Sequence, residues 1–184
     1  MNSALRFMPL KTALLKKMIK SFNGKTPKIA PTAFVAETAV IIGDVEIGEH
    51  ASIWYNAVLR ADTAKITIGD YTNVQDNVTI HVDKGFPATI GAYTTIGHNA
   101  VVHGATVGNE CLVGMNSVLL NGSQMGDGSL VGAGALMTEG RALPAGTMGK
   151  GIVKEWKELS PDARTSIKNN ATEYAIKAEM FKNG

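Results

Sequence analysis

The chain has 184 residues and a mass of 19.4 kDa, which fits one domain with a tail and leaves no room for two. A 45% hydrophobic share rules out general disorder, and the single cysteine, Cys111, rules out a disulfide framework or a cysteine-rich zinc module while fitting a reducing compartment. The net charge of +2 hides a split: residues 1–28 carry seven basic side chains and no acidic one, leaving 11 basic against 16 acidic elsewhere. The folded body is mildly acidic and shows no basic face for nucleic acid. No apolar run reaches the length of a membrane span.

The segment 1–20 reads as a basic N-terminal extension, mixing Leu5, Phe7, Leu10, Leu14, Leu15 and Ile19 with Arg6, Lys11, Lys16 and Lys17. Three readings stand for it: an organellar targeting leader, a short amphipathic surface helix, or an upstream start ahead of Met18. It lacks the apolar stretch and small-residue cleavage site of a secretory signal, and the expected location is the cytoplasm.

From residue 35 aliphatic side chains recur every six positions: Val35, Ile41, Ile47, Ile53 and Leu59, then Ile68, Val74 and Ile80, then Ile90, Ile96 and Val102. One five-residue step leads to Val107, Val113, Leu119, Met125, Val131, Met137 and Leu143. Glycine often follows, as at Gly48, Gly69, Gly91, Gly97, Gly108, Gly114, Gly126 and Gly132. Period six fits neither an α-helix nor an ordinary amphipathic strand. It fits a short strand and a tight corner, repeated, with one side chain per repeat pointing into a shared core and glycine easing the corners. Three faces then close a coil of about eighteen residues over 21–150, each coil stacked in parallel on the next. The arrangement resembles the hexapeptide-repeat, left-handed parallel β-helix, and its handedness is taken from that resemblance.

The repeat ends after Pro144, and 151–184 form a C-terminal helical segment. Ser160-Pro161-Asp162 is a helix start, with a hydroxyl N-cap, proline in the first turn and an acid at the positive dipole end. Ile167, Ala171, Tyr174, Ala178 and Phe181 make one apolar stripe, so the expected helix lies along the outside of the coils.

Four histidines are present. His81 follows inward Ile80 and His103 follows inward Val102, three repeats apart, so their side chains share one column on adjacent coils about 4.8 Å apart. Two imidazoles so placed can hold one metal ion. Arg60, after Leu59, belongs to the same column one coil earlier. His98 and Asp76 fall two positions after Ile96 and Val74, on the preceding face, with Gln75 beside them. His98 cannot easily join His81 and His103 within one chain, but in a threefold assembly it can reach the pair of a neighbour, leaving a fourth position open for water. Asp62 lies near the same seam. Arg60 and Asp76 could equally form a salt bridge between subunits. His50 reads as a solvated corner residue, Cys111 as a small packing residue, and Met115, Met125, Met137 and Met148 as gap fillers.

The segments Ser52-Ile53-Trp54-Tyr55-Asn56-Ala57-Val58-Leu59-Arg60-Ala61-Asp62, Asn73-Val74-Gln75-Asp76-Asn77, Thr79-Ile80-His81 and Ile96-Gly97-His98-Asn99-Ala100-Val101-Val102-His103-Gly104 resemble the γ-class carbonic anhydrases. The likeness extends over about residues 20–182. It implies a homotrimer whose metal sites lie between subunits, with His81, His98 and His103 as ligands to zinc, or to iron or cobalt. It further implies Arg60 and Asp76 at the subunit seam, Gln75 near the metal-bound water, and Tyr174 reaching the pocket from the helix. The implied reaction is hydration of carbon dioxide to bicarbonate by a metal-bound hydroxide. Two stretches depart from the family pattern. The loop Val82–Thr89 is short and has no glutamate to carry protons outward, leaving Asp83 as a substitute and weak activity as the expectation. Gly149-Lys150-Gly151 replaces an expected glycine-proline-alanine-lysine. The competing readings are a hexapeptide-repeat acyltransferase, with one histidine as general base and no metal, and a non-catalytic trimer stapled by metal.

Overall fold

A computed structural model describes residues 18–183; residues 1–17, which make up most of the basic extension, lie outside the described residues. Two sheets account for the strands. One runs from Phe34–Val35 through Ser52–Ile53, Asn73–Val74, Thr95–Ile96, Leu112–Val113, Leu130–Val131 and Thr147–Gly149 to Trp156–Glu158. The other wraps two faces, because the long strands Val40–Ile47 and Val58–Ile68 continue round a corner from one face to the next. Neighbouring coils pair in parallel, and the architecture is the left-handed parallel β-helix with one C-terminal helix alongside. The first described residues, Met18–Lys20, pair with Val40–Ile42.

Every inward aliphatic position from Val35 to Leu143 is at most 5% exposed, and together they form one continuous core. The corners have two separate causes. At most inward positions from Ile53 onward, the residue three before adopts a left-handed φ of 53–70°: His50, Asn56, Tyr71, Asn77, Tyr93, Asn99, Gly104, Glu110 and Asn116, and then Gly122, Gly128, Gly134 and Gly140. Asparagine and glycine suit that conformation best. The glycines that directly follow the aliphatic positions do something else, which corrects the sequence expectation. At Gly69 φ is ordinary, and an added Cβ would stand 2.6 Å from the Ala92 backbone nitrogen on the next coil. Close stacking demands glycine there, not corner geometry.

The residue two before most inward positions is small and buried, as at Ala39, Ala57, Ala88 and Ser117, and Cys111 is one of these. Its amide donates to Thr94 Oγ1 on the coil before (3.1 Å), and its sulfur lies 3.7 Å from Ser129 Oγ on the coil after. Burial pushes its thiol pKa up.

Three further expectations need correction. The winding does not stop at Pro144: Thr147–Gly149 adds one more strand, with Gly149 opposite Val131. An inward glycine leaves a gap, and buried Val153 fills it, 2.5 Å from where a Gly149 Cβ would be. Met115 is 51% exposed and fills no core gap. His50 is not merely solvated; it stacks on Tyr71 at 4.8 Å, and Tyr71 on Tyr93 at 4.7 Å.

The helix spans Pro161–Asn183, and Ser160 Oγ accepts from the Ala163 amide as its cap. Ile167, Ala171 and Ala178 are buried against the face that contains Phe34, Ser52, Asn73 and Thr95. It runs from the last coil, where the Arg164 guanidinium donates to the Gly146 carbonyl, to the first, where Phe181 meets Phe34 and Trp54. Among the described residues no helix is long and apolar enough to cross a membrane.

Candidate metal centre

The strand register places Arg60 opposite His81 and His81 opposite His103. Their rings stand with centroids 4.9 Å apart, and His81 Nδ1 lies 3.0 Å from His103 Nε2. Two nitrogens bound to one tetrahedral ion at about 2.0–2.1 Å stand about 3.3 Å apart, so a small opening of this pair seats an ion. An Asp83 carboxylate oxygen joins them, the three ligand atoms lying within 4.8 Å of one another. Imidazole and carboxylate donors suit a divalent metal ion.

Each of these histidines has its other nitrogen tied to an acceptor. His81 Nε2 lies 3.0 Å from Asp62 Oδ1, and Asp62 also takes a salt bridge from Arg60. Partial burial works against the charge on Asp62. The hydrogen bonds from His81, the backbone and Arg60, with the Arg60 charge, outweigh it and hold the carboxyl below its ordinary pKa. His103 Nδ1 lies 2.9 Å from Asn121 Oδ1, and Asn121 Nδ2 donates to Asp83 Oδ2 at 2.9 Å. An outer partner of this kind fixes the ring and its tautomer, leaving the opposite nitrogen as a ligand.

His98 stands apart, on the adjoining face. Its Nδ1 lies 2.9 Å from Asp76 Oδ2, so Nε2 is its free nitrogen. Three of the four histidines are therefore pinned by an acceptor, whereas His50 is held by ring stacking. Within one chain His98 does not join His81 and His103, as the column argument required. Arg60 and Asp76 each find partners inside the chain, in Asp62 and His98.

Gln75 is buried at 5% exposure. It donates to Asn73 Oδ1 (3.0 Å) and accepts from the His98 amide (3.2 Å). Asn73 donates to Thr95 Oγ1 at 2.8 Å, and that hydroxyl donates to Asn170 Oδ1 on the helix at 2.9 Å. Beside this network lies a groove of about 520 Å³, bordered by Gln75, His98, Met115, Ile167 and Tyr174. Tyr174 packs edge-on against Trp54 at 5.5 Å. Burial, and secondarily the charge of Asp76, raise its phenol pKa.

Of the predicted residues, Arg60, Asp62, His81 and His103 gather on one face, and Gln75, Asp76, His98 and Tyr174 on another. Sequence reasoning missed Asn121. Its signal was present, since it falls two after inward Leu119, one coil beyond Gly104, but an asparagine in a repeat reads as a corner residue.

No protein-family model matches the chain. A protein of Methanocaldococcus jannaschii named "Probable carbonic anhydrase" is 44% identical over 155 residues, covering 84% of this chain and 98% of that protein. The carbonic anhydrase of Geobacillus kaustophilus is 40% identical over 166 residues, or 90% of this chain and 91% of that one. The mitochondrial gamma carbonic anhydrase 2 of Arabidopsis thaliana is 37% identical over 163 residues, 85% of this chain and 59% of its own longer sequence. The chain belongs to the γ-class carbonic anhydrase family. A crystal structure of a hexapeptide transferase family protein from Anaplasma phagocytophilum matches with a TM-score of 0.86 at 35% identity, covering 90% of this chain and 98% of that one. The N-acyltransferase AntD of Bacillus cereus, at 14% identity and a TM-score of 0.60, covers 85% of this chain and 91% of its own and shares the fold alone.

Proposed function

We propose that this γ-class family member hydrates carbon dioxide to bicarbonate at metal sites shared between three copies in the cytoplasm. His81 and His103 of one chain hold zinc, with iron or cobalt as alternatives, together with His98 of the next. The carrying observation is the register-matched pair of imidazoles, with facing nitrogens 3.0 Å apart and outer nitrogens tied to acceptors. Bound there, the metal supplies Lewis acidity that brings the pKa of a water towards 7.

The chain's own residues do the rest. Asp62 orients His81, Asn121 orients His103, and Asp76 orients His98, so each ring offers one lone pair without reorganising. Gln75, held by Asn73 and the His98 amide, keeps one amide N–H to donate to a substrate oxygen. Tyr174 and Ile167 line the groove beside it and shape the approach of an uncharged substrate. The loop Val82–Thr89 offers no glutamate, so proton export depends on added buffer and turnover is low without it.

Transferase names among the solved relatives favour the second reading, an acyl transfer. It needs one histidine as base and gives no role to three pinned rings. A metal-stapled scaffold is the third reading, and retained trimers without hydration would identify it. Subunit mixing tests the proposal directly. His98→Ala and His103→Ala proteins should each lack zinc and activity, whereas trimers refolded from an equal mixture contain intact sites at about one quarter of their interfaces. Recovered zinc and carbon dioxide hydration support the shared site. Mixtures as empty and inactive as their parents overturn it.

A further inference from the structure

The loop that carries Asp83 is clamped in place. Phe86 donates its amide to the Asp83 carbonyl at 2.9 Å, closing a tight turn, and its side chain rests against the next coils at Gly104 and Gly122. At Gly104 a Cβ would collide with Asn121 Oδ1 and stand 2.7 Å from Phe86 Cβ, so glycine leaves room for both side chains. This anchoring puts the Asp83 carboxylate beside Asn121, where Oδ2 accepts from Nδ2.

That contact decides which way the amide points. An ionised carboxylate only accepts hydrogen bonds, so the NH₂ end of Asn121 must face Asp83 and its oxygen must face His103. An amide oxygen in turn accepts only, so the His103 nitrogen opposite it, Nδ1 at 2.9 Å, carries the proton. The lone pair is then at Nε2, the nitrogen that faces His81.

We propose that Asp83 is a positioning residue, acting through Asn121 to fix His103 in the Nδ1–H tautomer and so present Nε2 to the metal. This deepens the metal-site reading given above and rests on it. It also gives Asp83 a different task from the outward proton carriage suggested by the short loop: one of its oxygens is already bound to Asn121. Pinning a ring through an amide differs from the direct carboxylate contacts at His81 and His98. An amide can turn over, so this ligand alone depends on a second residue to hold its support the right way round.

Histidine-selective ¹⁵N NMR of the metal-free protein reads the tautomer directly. The wild type should show His103 protonated at Nδ1. Asp83→Asn offers both a donor and an acceptor to Asn121, so the amide turns over in part, the His103 signals shift towards a tautomer mixture, and zinc affinity falls by about 10–100-fold. The exchange variant Asp83→Asn with Asn121→Asp restores the logic in reverse: the new amide donates to the new carboxylate, which accepts from His103 Nδ1–H. It should recover the wild-type tautomer and most of the affinity, a rescue that mere damage to the loop would not permit. The proposal is overturned if wild-type His103 is protonated at Nε2, if Asp83→Asn leaves tautomer and affinity unchanged, or if the exchange variant rescues neither. The tautomer is read without metal or substrate, so absence of hydration activity would count against the proposed function and leave this measurement standing.

Discussion

Two glycines with different duties give the sharpest test of how the coils are built. Gly69 has an ordinary φ and lies against backbone atoms of the next coil, with an imagined Cβ 2.6 Å from both Ala92 N and Gly91 C. A comfortable contact is about 3.5 Å, so Gly69→Ala must push the coils apart by about 0.9 Å. The Gly69 amide bonds the Ile90 carbonyl at 2.9 Å, and it breaks at that separation. Overpacking of about 1–3 kcal/mol and a lost hydrogen bond of about 1 kcal/mol together give about 3 kcal/mol. Gly134 is the opposite case: its φ is +66° and a Cβ there would meet nothing within 4 Å. Gly134→Ala then carries only the left-handed penalty, about 1 kcal/mol. Gly134→Asn should cost less still, since Asn116 holds the same corner one coil earlier with φ 57°. At about 2–4 °C per kcal/mol for a chain of this size, thermal melts should fall by about 6–12 °C for Gly69→Ala and about 2–4 °C for Gly134→Ala. Equal losses at the two sites, or a Gly69→Ala melt like that of the wild type, would refute the division of labour between the glycines.

Asp62→Asn loses the acceptor-only partner of His81 and should weaken zinc binding by about 10–100-fold, measured by competition with a chromophoric chelator; unchanged affinity would mean Asp62 does not orient the ring. Cys111 is fully buried with a raised thiol pKa, so it should resist alkylation at pH 8 and react stoichiometrically only in denaturant. Rapid labelling of the native protein would contradict its place in the corner column. Tyr174 should keep its proton well past neutral pH, because burial and Asp76 disfavour the phenolate. In an alkaline absorbance titration Tyr174→Phe should remove a component that ionises above the ordinary value near 10, and loss of an ordinary component instead would show the ring to be solvated.

The core and the His81–His103 column were legible because the six-residue period fixes both which side chains point inward and which residues stack. One register decides all of it, and every inward position from Val35 to Leu143 is buried as read. The helix start at Ser160 was equally legible, since capping is local. What escaped depends on contacts between coils. The glycines at positions such as Gly69 look like corner residues until the next coil is laid against them. Gly149 looks like the end of the repeat until Val153 is seen filling its place. Asn121 acquires meaning only when its amide is found between His103 and Asp83, residues 18 and 38 positions away. Periodicity carries the stacking direction; it carries nothing about which polar groups meet across it.

The C-terminal helix gives the molecule a property that the windings by themselves would lack. A stack in which each layer touches only its neighbours can fray from either end, one layer at a time. Here Arg164 is fastened to the final winding and Phe181 to the opening one, so the helix acts as a clasp. Loosening either terminus strains the fastening at the other, so the helix couples the opening of the two ends.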